Sequence, residues 1–273
     1  MIPADAETQS INTPPAPNSK APAVMQVLPQ LEIGGVERGT VDVTAALTAA
    51  GRRAVVVSAG GRLVPEIKRA GGEHVTLPVD SKNPLTIRKN VGALRKIVAL
   101  KNVGLVHARS RAPAWSARLA AARANVPFIT TFHGTYKFNS PAKKTYNAIM
   151  AQGDRVIAIS EFIGRHVSEV YGVPENRIRI IPRGVDMAEF NPNAVSAERM
   201  IQLSQAWRLP DEAPVVMLPG RLTRWKGHSV LIEAAQRLER PDVRVLLVGD
   251  SQGRTNYRAK LEAQIGRVGV EGI

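Results

Sequence analysis

From Val24 onward, short apolar, β-branched runs alternate with longer stretches in which apolar residues recur at helical spacing. Val24 to Leu28, Ala54 to Ser58, His74 to Leu77, Leu105 to His107, Phe128 to Thr131, Arg155 to Ile159 and Arg177 to Ile181 read as strands. Helices are predicted between and after them, at about Val36 to Ala50, Leu63 to Ala70, Leu85 to Leu100, Pro113 to Ala124, Pro141 to Ala151 and Glu161 to Tyr171. Strand and helix in strict alternation imply a parallel sheet covered on both faces. A second series starts at Val215 and gives a helix over Ser229 to Leu238, a strand over Val243 to Val248 and a helix from about Arg254 to Val268. The expected class is therefore α/β, with two Rossmann-like, doubly wound parallel-sheet domains, the second incomplete because about two strands cover little core.

Pro3, Pro14, Pro15, Pro17 and Pro22 stand among small and polar residues, so residues 1–23 are expected to form a disordered leader. The first domain is placed at 24–190, a linker at 191–212 with a short helix near Ala197 to Trp207, and the partial second domain at 213–273.

Composition narrows the setting. With no cysteine among 273 residues, disulfides and thiolate metal sites are excluded, and a reducing interior suits the chain. No stretch is long and apolar enough for a membrane span and no signal-peptide pattern opens the chain, so a cytoplasmic location is expected, with the inner face of the membrane as an extension. A net charge of +14 predicts attraction to polyanions. Aromatics are only 4% and are not interleaved with basic residues as in base-stacking surfaces, which argues against nucleic acid.

Candidate chemistry collects at strand ends, where parallel sheets bind ligands. Gly34, Gly35, Glu37 and Arg38 follow the first strand and open a helix, so backbone N–H groups can meet a ligand closely; the spacing is not that of a dinucleotide fingerprint. His133, beside Gly134, lies just past Phe128 to Thr131; His107 and Arg109 close another strand, with His107 readable equally as structural. Arg183 in Ile181-Pro182-Arg183-Gly184-Val185-Asp186 serves either a turn or a ligand. Ser160 reads as a helix cap, and His74 and His166 as structural. Gly220, Arg221, Arg224 and Lys226 separate the Val215 strand from the Ser229 helix. There Arg221 and Lys226 would bracket a diphosphate, while Arg224 reads as a surface residue. Gly249 and Asp250 form another strand-end loop, open to a nucleoside contact or a plain turn. No Asp-x-Asp sequence and no metal-ligand spacing occurs, so no metal site and no cofactor are expected.

Leu85, Ile87, Val91, Leu94, Ile97 and Val98 form an apolar stripe with Arg88, Lys89, Arg95, Lys96 and Lys101 around it. A buried face with a solvated one accounts for this, and an interfacial role stays open, as does a headgroup-facing patch of Tyr136, Lys137, Phe138, Lys143, Lys144 and Tyr146.

In order along the chain, Gly34-Gly35-Val36-Glu37-Arg38, Phe132-His133-Gly134, Ile159-Ser160-Glu161, Arg183-Gly184-Val185-Asp186, Gly220-Arg221 with Lys226-Gly227, and Gly249-Asp250 resemble the motifs of retaining, nucleotide-sugar-dependent glycosyltransferases of the GT-B fold, family 4. The wording around His107 and Trp225 looks most like proteobacterial members that build lipopolysaccharide or related surface glycans. The resemblance implies two domains facing across a cleft, acceptor on the first and donor on the second. It implies that Arg221 and Lys226 hold the donor diphosphate without a metal, that Gly35 lies against phosphate or sugar, and that His133 contacts the donor sugar. The acceptor would be a glycan or lipid-linked, with His107, Arg109, Glu37 and Arg183 as its candidate contacts. The family's Glu-x7-Glu segment has no counterpart here, since Glu262 and Glu271 do not replace it, so the chain is expected to be truncated and to bind donor weakly. Two rivals remain: a sugar-nucleotide epimerase of the same fold, and a non-catalytic polyanion- or membrane-binding protein.

Overall fold

A computed structural model of the chain describes residues 21–238, 240–251, 253 and 255–269. Nearly all of the expected leader lies outside the described residues, as do Gln252, Arg254 and Glu271. The chain divides into two compact units, Met1–Gly184 and Val185–Ile273.

The first unit is an all-parallel sheet of seven strands: β1 (Ala23–Val27), β2 (Ala54–Ser58), β3 (Glu73–Thr76), β4 (Val103–Ala108), β5 (Phe128–Phe132), β6 (Arg155–Ala158) and β7 (Ile178–Ile180), in the order β3-β2-β1-β4-β5-β6-β7. Helices α1 (Gly35–Ala49), α2 (Val64–Arg69), α3 (Pro84–Leu100), α4 (Arg111–Ala124), α5 (Pro141–Ala148) and α6 (Glu161–Tyr171) make the crossovers. Every residue of β2 is buried, as expected for a strand covered on both faces. One layer packs Met25, Val27, Val55, Val57, Leu94, Val106 and Phe132; the other packs Leu28, Leu31, Val41, Val56 and Ile67.

The order reverses between β1 and β4, which pair with Met25 opposite Val106 and Val27 opposite Ala108. Open α/β sheets bind ligands at that reversal, beyond the strands' carboxyl ends. The helix starts differ accordingly. Asn83, Ser140 and Ser160 cap α3, α5 and α6 through side-chain oxygens, whereas Gly34 before α1 and Ser110 before α4 give no side-chain cap. The two helices flanking the reversal thus start without side-chain oxygens at their first N–H groups.

Two boundaries differ from expectation. The helix expected over Pro141 to Ala151 ends as α at Ala148 and continues as a 3₁₀ turn over Ile149–Gln152, whose Ile149 and Met150 are buried under the sheet. Helix α4 starts two residues before Pro113, which occupies a first-turn position where its missing N–H leaves no bond unmade.

The second unit holds α7 (Ala197–Ala206), within the segment expected as a linker, and a parallel pair of β8 (Val215–Pro219) and β9 (Arg244–Val248), registered from Val215 opposite Arg244 to Pro219 opposite Val248. Helices α8 (His228–Leu238) and α9 (Thr255–Val268) cover the pair over a core of Leu222, Ile232 and Leu261. Ser229 Oγ donates to Gln264 Oε1 at 2.7 Å, and Gln264 Nε2 donates to the Ser229 carbonyl at 3.1 Å, which fastens α8 to α9.

Candidate functional site

In the first unit, the carboxyl ends of β1, β4, β5 and β7 gather Gly34, Gly35, His107, Arg109, His133 and Arg183. The floor is Gln26 on β1, a polar residue in the middle of an apolar strand and fully buried. Its Nε2 donates to the Thr40 carbonyl at 3.2 Å and to Thr44 Oγ1 at 3.0 Å, while its Oε1 accepts from Arg109 Nη1 at 2.7 Å. Three bonds fix the amide, and the amide fixes the guanidinium. Sequence reading missed Gln26; the signal was a lone amide in a strand otherwise built of Ala, Val and Met.

Arg109 is 4% exposed, and its Nε is buried without a partner. Arg183, past the end of β7, reaches the same place from the outside. A Cβ placed on Gly39 would meet Arg183 Nη2 at 2.6 Å and Arg109 Nη2 at 3.2 Å, so both guanidiniums border one point over the second turn of α1. A side chain there would displace the exposed Arg183 guanidinium. A Cβ on Gly35 would sit 3.7 Å from Arg183 Nη1, and the Glu37 carboxylate folds over Gly34. Arg38 in the same turn points elsewhere, to Asp42 at 3.1 Å and Glu66 at 2.8 Å.

The titrating groups register this concentration of positive charge. Burial, then Arg183, lowers the Arg109 guanidinium to about 10, with Asp42 opposing. The His133 imidazole is lowered to about 3, by burial first and then by Arg109 and Arg183, so it stays neutral in ordinary buffers and can donate one hydrogen bond while accepting another. Both of its ring nitrogens are buried with no partner. His107 is held well below its ordinary value by burial, Arg109 and His133. At 5% exposure, with Nε2 2.7 Å from Thr131 Oγ1, His107 is tied to β5 from inside the unit.

The loop after His133 is pinned rather than splayed. Tyr136 packs on Phe132 with centroids 5.1 Å apart and lies under the Arg111 guanidinium, 4.4 Å above its ring; Arg111 also donates to Asn147 Oδ1 at 2.7 Å. Burial, opposed by Arg111, pushes the Tyr136 phenol up to about 12. Of the expected headgroup patch, Tyr136 and Tyr146 therefore turn inward, Tyr146 stacking on Trp115, while Lys137, Phe138, Lys143 and Lys144 stay exposed.

In the second unit, the loops after β8 and β9 meet. The Gly220 N–H donates to the Val248 carbonyl at 2.8 Å and the Leu222 N–H to the Asp250 carbonyl at 3.2 Å. Gly249 abuts the Gly220 carbonyl so closely that a Cβ there would overlap it. After a 3₁₀ turn over Arg224–Lys226, the Lys226 stem folds back until its Cδ lies 3.5 Å from the Cβ position of Gly220. Lys226 is thereby returned to the strand end from which Arg221 departs. Arg224 and Trp225 are exposed, and the Asp250 side chain is exposed as well.

Among solved structures, a glycosyltransferase from Rickettsia africae ESF-5 shares 37% identity and a TM-score of 0.79 with this chain, over 92% of this chain and 66% of that one. The Anabaena protein Alr3699/HepE, crystallised with UDP and glucose, superposes with a TM-score of 0.76 at 19% identity, over 92% of this chain and 67% of that one, a likeness of fold. A curated relative, the D-inositol 3-phosphate glycosyltransferase of Xylanimonas cellulosilytica, is 30% identical over 165 residues, which are 56% of this chain and 39% of that protein. The chain thus spans less than two thirds of the length of these curated relatives. The family described as Glycosyl transferases group 1 matches residues 200–271, and Glycosyltransferase Family 4 matches residues 33–189. With more than half of its length matched by that second description, over a seven-stranded doubly wound sheet, the chain belongs to glycosyltransferase family 4.

Proposed function

We propose that the chain transfers a hexose from a nucleotide-diphospho-sugar to a glycan or lipid-linked acceptor with retention at the anomeric carbon. The observation that carries this reading is the return of the Lys226 stem over Gly220, the residue before Arg221 at the end of β8. There Arg221 and Lys226 hold the donor diphosphate and stabilise it as it leaves. The acceptor hydroxyl oxygen bonds to the anomeric carbon, the bond from that carbon to the diphosphate oxygen breaks, and the leaving phosphate takes the hydroxyl proton. Two fixed cations supply the charge that a divalent ion supplies in other transferases, so neither metal nor cofactor enters this scheme. Within the second unit Gly249 and Asp250 are the contacts offered to a nucleoside; within the first, Gly34, Gly35 and neutral His133 are the contacts offered to a phosphate or sugar. Arg109, Arg183 and Glu37 face the acceptor, and His107 supports them from below.

The Anabaena protein's complex with UDP and glucose and the sugar-transferring names of the relatives support a nucleotide-sugar donor. For the acceptor, a lipopolysaccharide or other surface glycan stands beside an inositol phosphate of the kind the Xylanimonas relative's name states. Among the described residues no helix is long and apolar enough to cross a membrane. Helix α3 nevertheless exposes Leu85 (71%) and Leu100 (82%) beside Arg88, Lys89, Arg95 and Lys96, which supports peripheral contact with the anionic inner face of a membrane by a cytoplasmic protein.

Incubating the chain with UDP- and GDP-hexoses, with and without glycan and sugar-phosphate acceptors, and reading the products by NMR tests the reading. Acceptor-dependent α-linked product from an α-linked donor supports it. Epimerised donor formed without acceptor, or the inverted linkage, contradicts it.

A further inference from the structure

We propose that Arg109 and Arg183 form a built site for a phosphate monoester, placed over the second turn of α1 within the first unit. The inference rests on the reading of the first unit as the acceptor side and names the group by which that acceptor is held.

Two guanidiniums border one point above Gly39. Like charges so placed repel, and Arg109 has in addition given up its hydration, being 4% exposed. Among the described residues no carboxylate lies within ion-pair distance of Arg109 or Arg183. Of the nearby acids, Asp42 is tied to Arg38, and the Glu37 carboxylate lies over Gly34. One amide, Gln26, takes one of the five donors of Arg109, and Nε is left buried and unpartnered. An arrangement that holds two cations together, rigid from below and open from outside through exposed Arg183, is complementary to a compact dianion. Guanidinium forks match the oxygens of a phosphate. The bare Cα of Gly39 leaves the room in which the two guanidiniums meet, and neutral His133, whose ring both arginines influence, can bond a neighbouring hydroxyl. A carboxylate carries one charge and two oxygens and leaves donors of the pair unmet, so a phosphate monoester suits the site better.

Isothermal calorimetry with inorganic phosphate and with glucose 6-phosphate tests this. It is run on the chain carrying Arg221→Ala and Lys226→Ala, so that phosphate cannot report on the second unit. Arg183→Gln, an exposed change that leaves the core intact, is expected to weaken both ligands by about 10- to 100-fold, the range for lost charge-assisted bonds. Gly39→Ala, which puts a methyl where the guanidiniums meet, is expected to weaken them as well with helix content unchanged. Vesicles carrying phosphatidic acid distinguish the source. Capture that Arg183→Gln abolishes assigns a lipid-borne phosphate, and binding of glucose 6-phosphate alone assigns a soluble one; either supports the site. No phosphate binding in the double-variant background, or binding that neither Arg183→Gln nor Gly39→Ala changes, overturns it. Donor binding to the unaltered second unit is measured separately with UDP and GDP, so loss of the acceptor site and loss of the transferase reading give different patterns.

Discussion

At the residue scale the first unit depends on polar groups that are buried and held in one state. His133 and His107 are both lowered from 6.5, to about 3 and well below the ordinary value respectively, chiefly by burial. Each binds a proton more readily in the unfolded chain than in the folded one. Stability from these groups is therefore fully present above about 6.5 and is lost progressively as pH falls toward 3. Urea unfolding at pH 7, 6 and 5 should show midpoints declining with acidification, with a shallower decline in His133→Gln. A flat profile in the parent chain would contradict the neutral imidazole. In the second unit, Gly249→Ala forces a methyl against the Gly220 carbonyl. Because backbone must move, the expected loss is about 1–3 kcal/mol, read as a lower denaturation midpoint, with nucleotide binding lost in parallel. The placement of His133 and Arg221 just beyond apolar strands was legible from the sequence pattern. Gln26 was not, because its partner Arg109 lies 83 positions away and no local period encodes such a bond.

At the scale of elements, the strands of the first unit read clearly, because strands buried on both faces are apolar throughout and turn residues punctuate them. The change from α-helix to 3₁₀ turn at Ile149 was not readable. It follows from the need to bury Ile149 and Met150 against the sheet, a tertiary demand that the helical period of 141–151 does not reveal. Arg111 joins the start of α4 to the loop after His133 through the Tyr136 ring and Asn147. Arg111→Ala should cost about 1–3 kcal/mol, a cation–π contact together with one charge-assisted bond, and should speed amide exchange in residues 133–140 ahead of the sheet. Equal exchange in both would show that the loop is held by other contacts. Helix α3 gives a separate test: Arg88→Glu with Lys89→Glu should abolish sedimentation with phosphatidylglycerol vesicles while leaving thermal stability within about 0.5 kcal/mol, as for other exposed positions. Unchanged sedimentation would remove α3 from the membrane-contact proposal.

At the scale of the whole molecule, the doubly wound first unit and the two-stranded second unit differ greatly in the core they bury. A small parallel pair under two helices is marginal by itself, so the units are expected to unfold in two steps, the second unit first. Tryptophan fluorescence separates the steps, since Trp207 and Trp225 report on the second unit and Trp115 on the first. Coincident transitions would contradict this. The α/β class and the doubly wound sheet were legible because alternation of strand and helix is a repeating signal. The division after Gly184 was not, since the prolines at 192, 210 and 214 drew the expected linker downstream while α7 belongs to the second unit. The account rests above all on Arg221 and Lys226 holding a nucleoside diphosphate. Calorimetric titration of UDP and GDP into the chain and into its Arg221→Ala/Lys226→Ala variant tests that directly. The account predicts saturable binding of at least one nucleotide, weakened about 100-fold or more in the variant, whereas equal affinity for both proteins would contradict it.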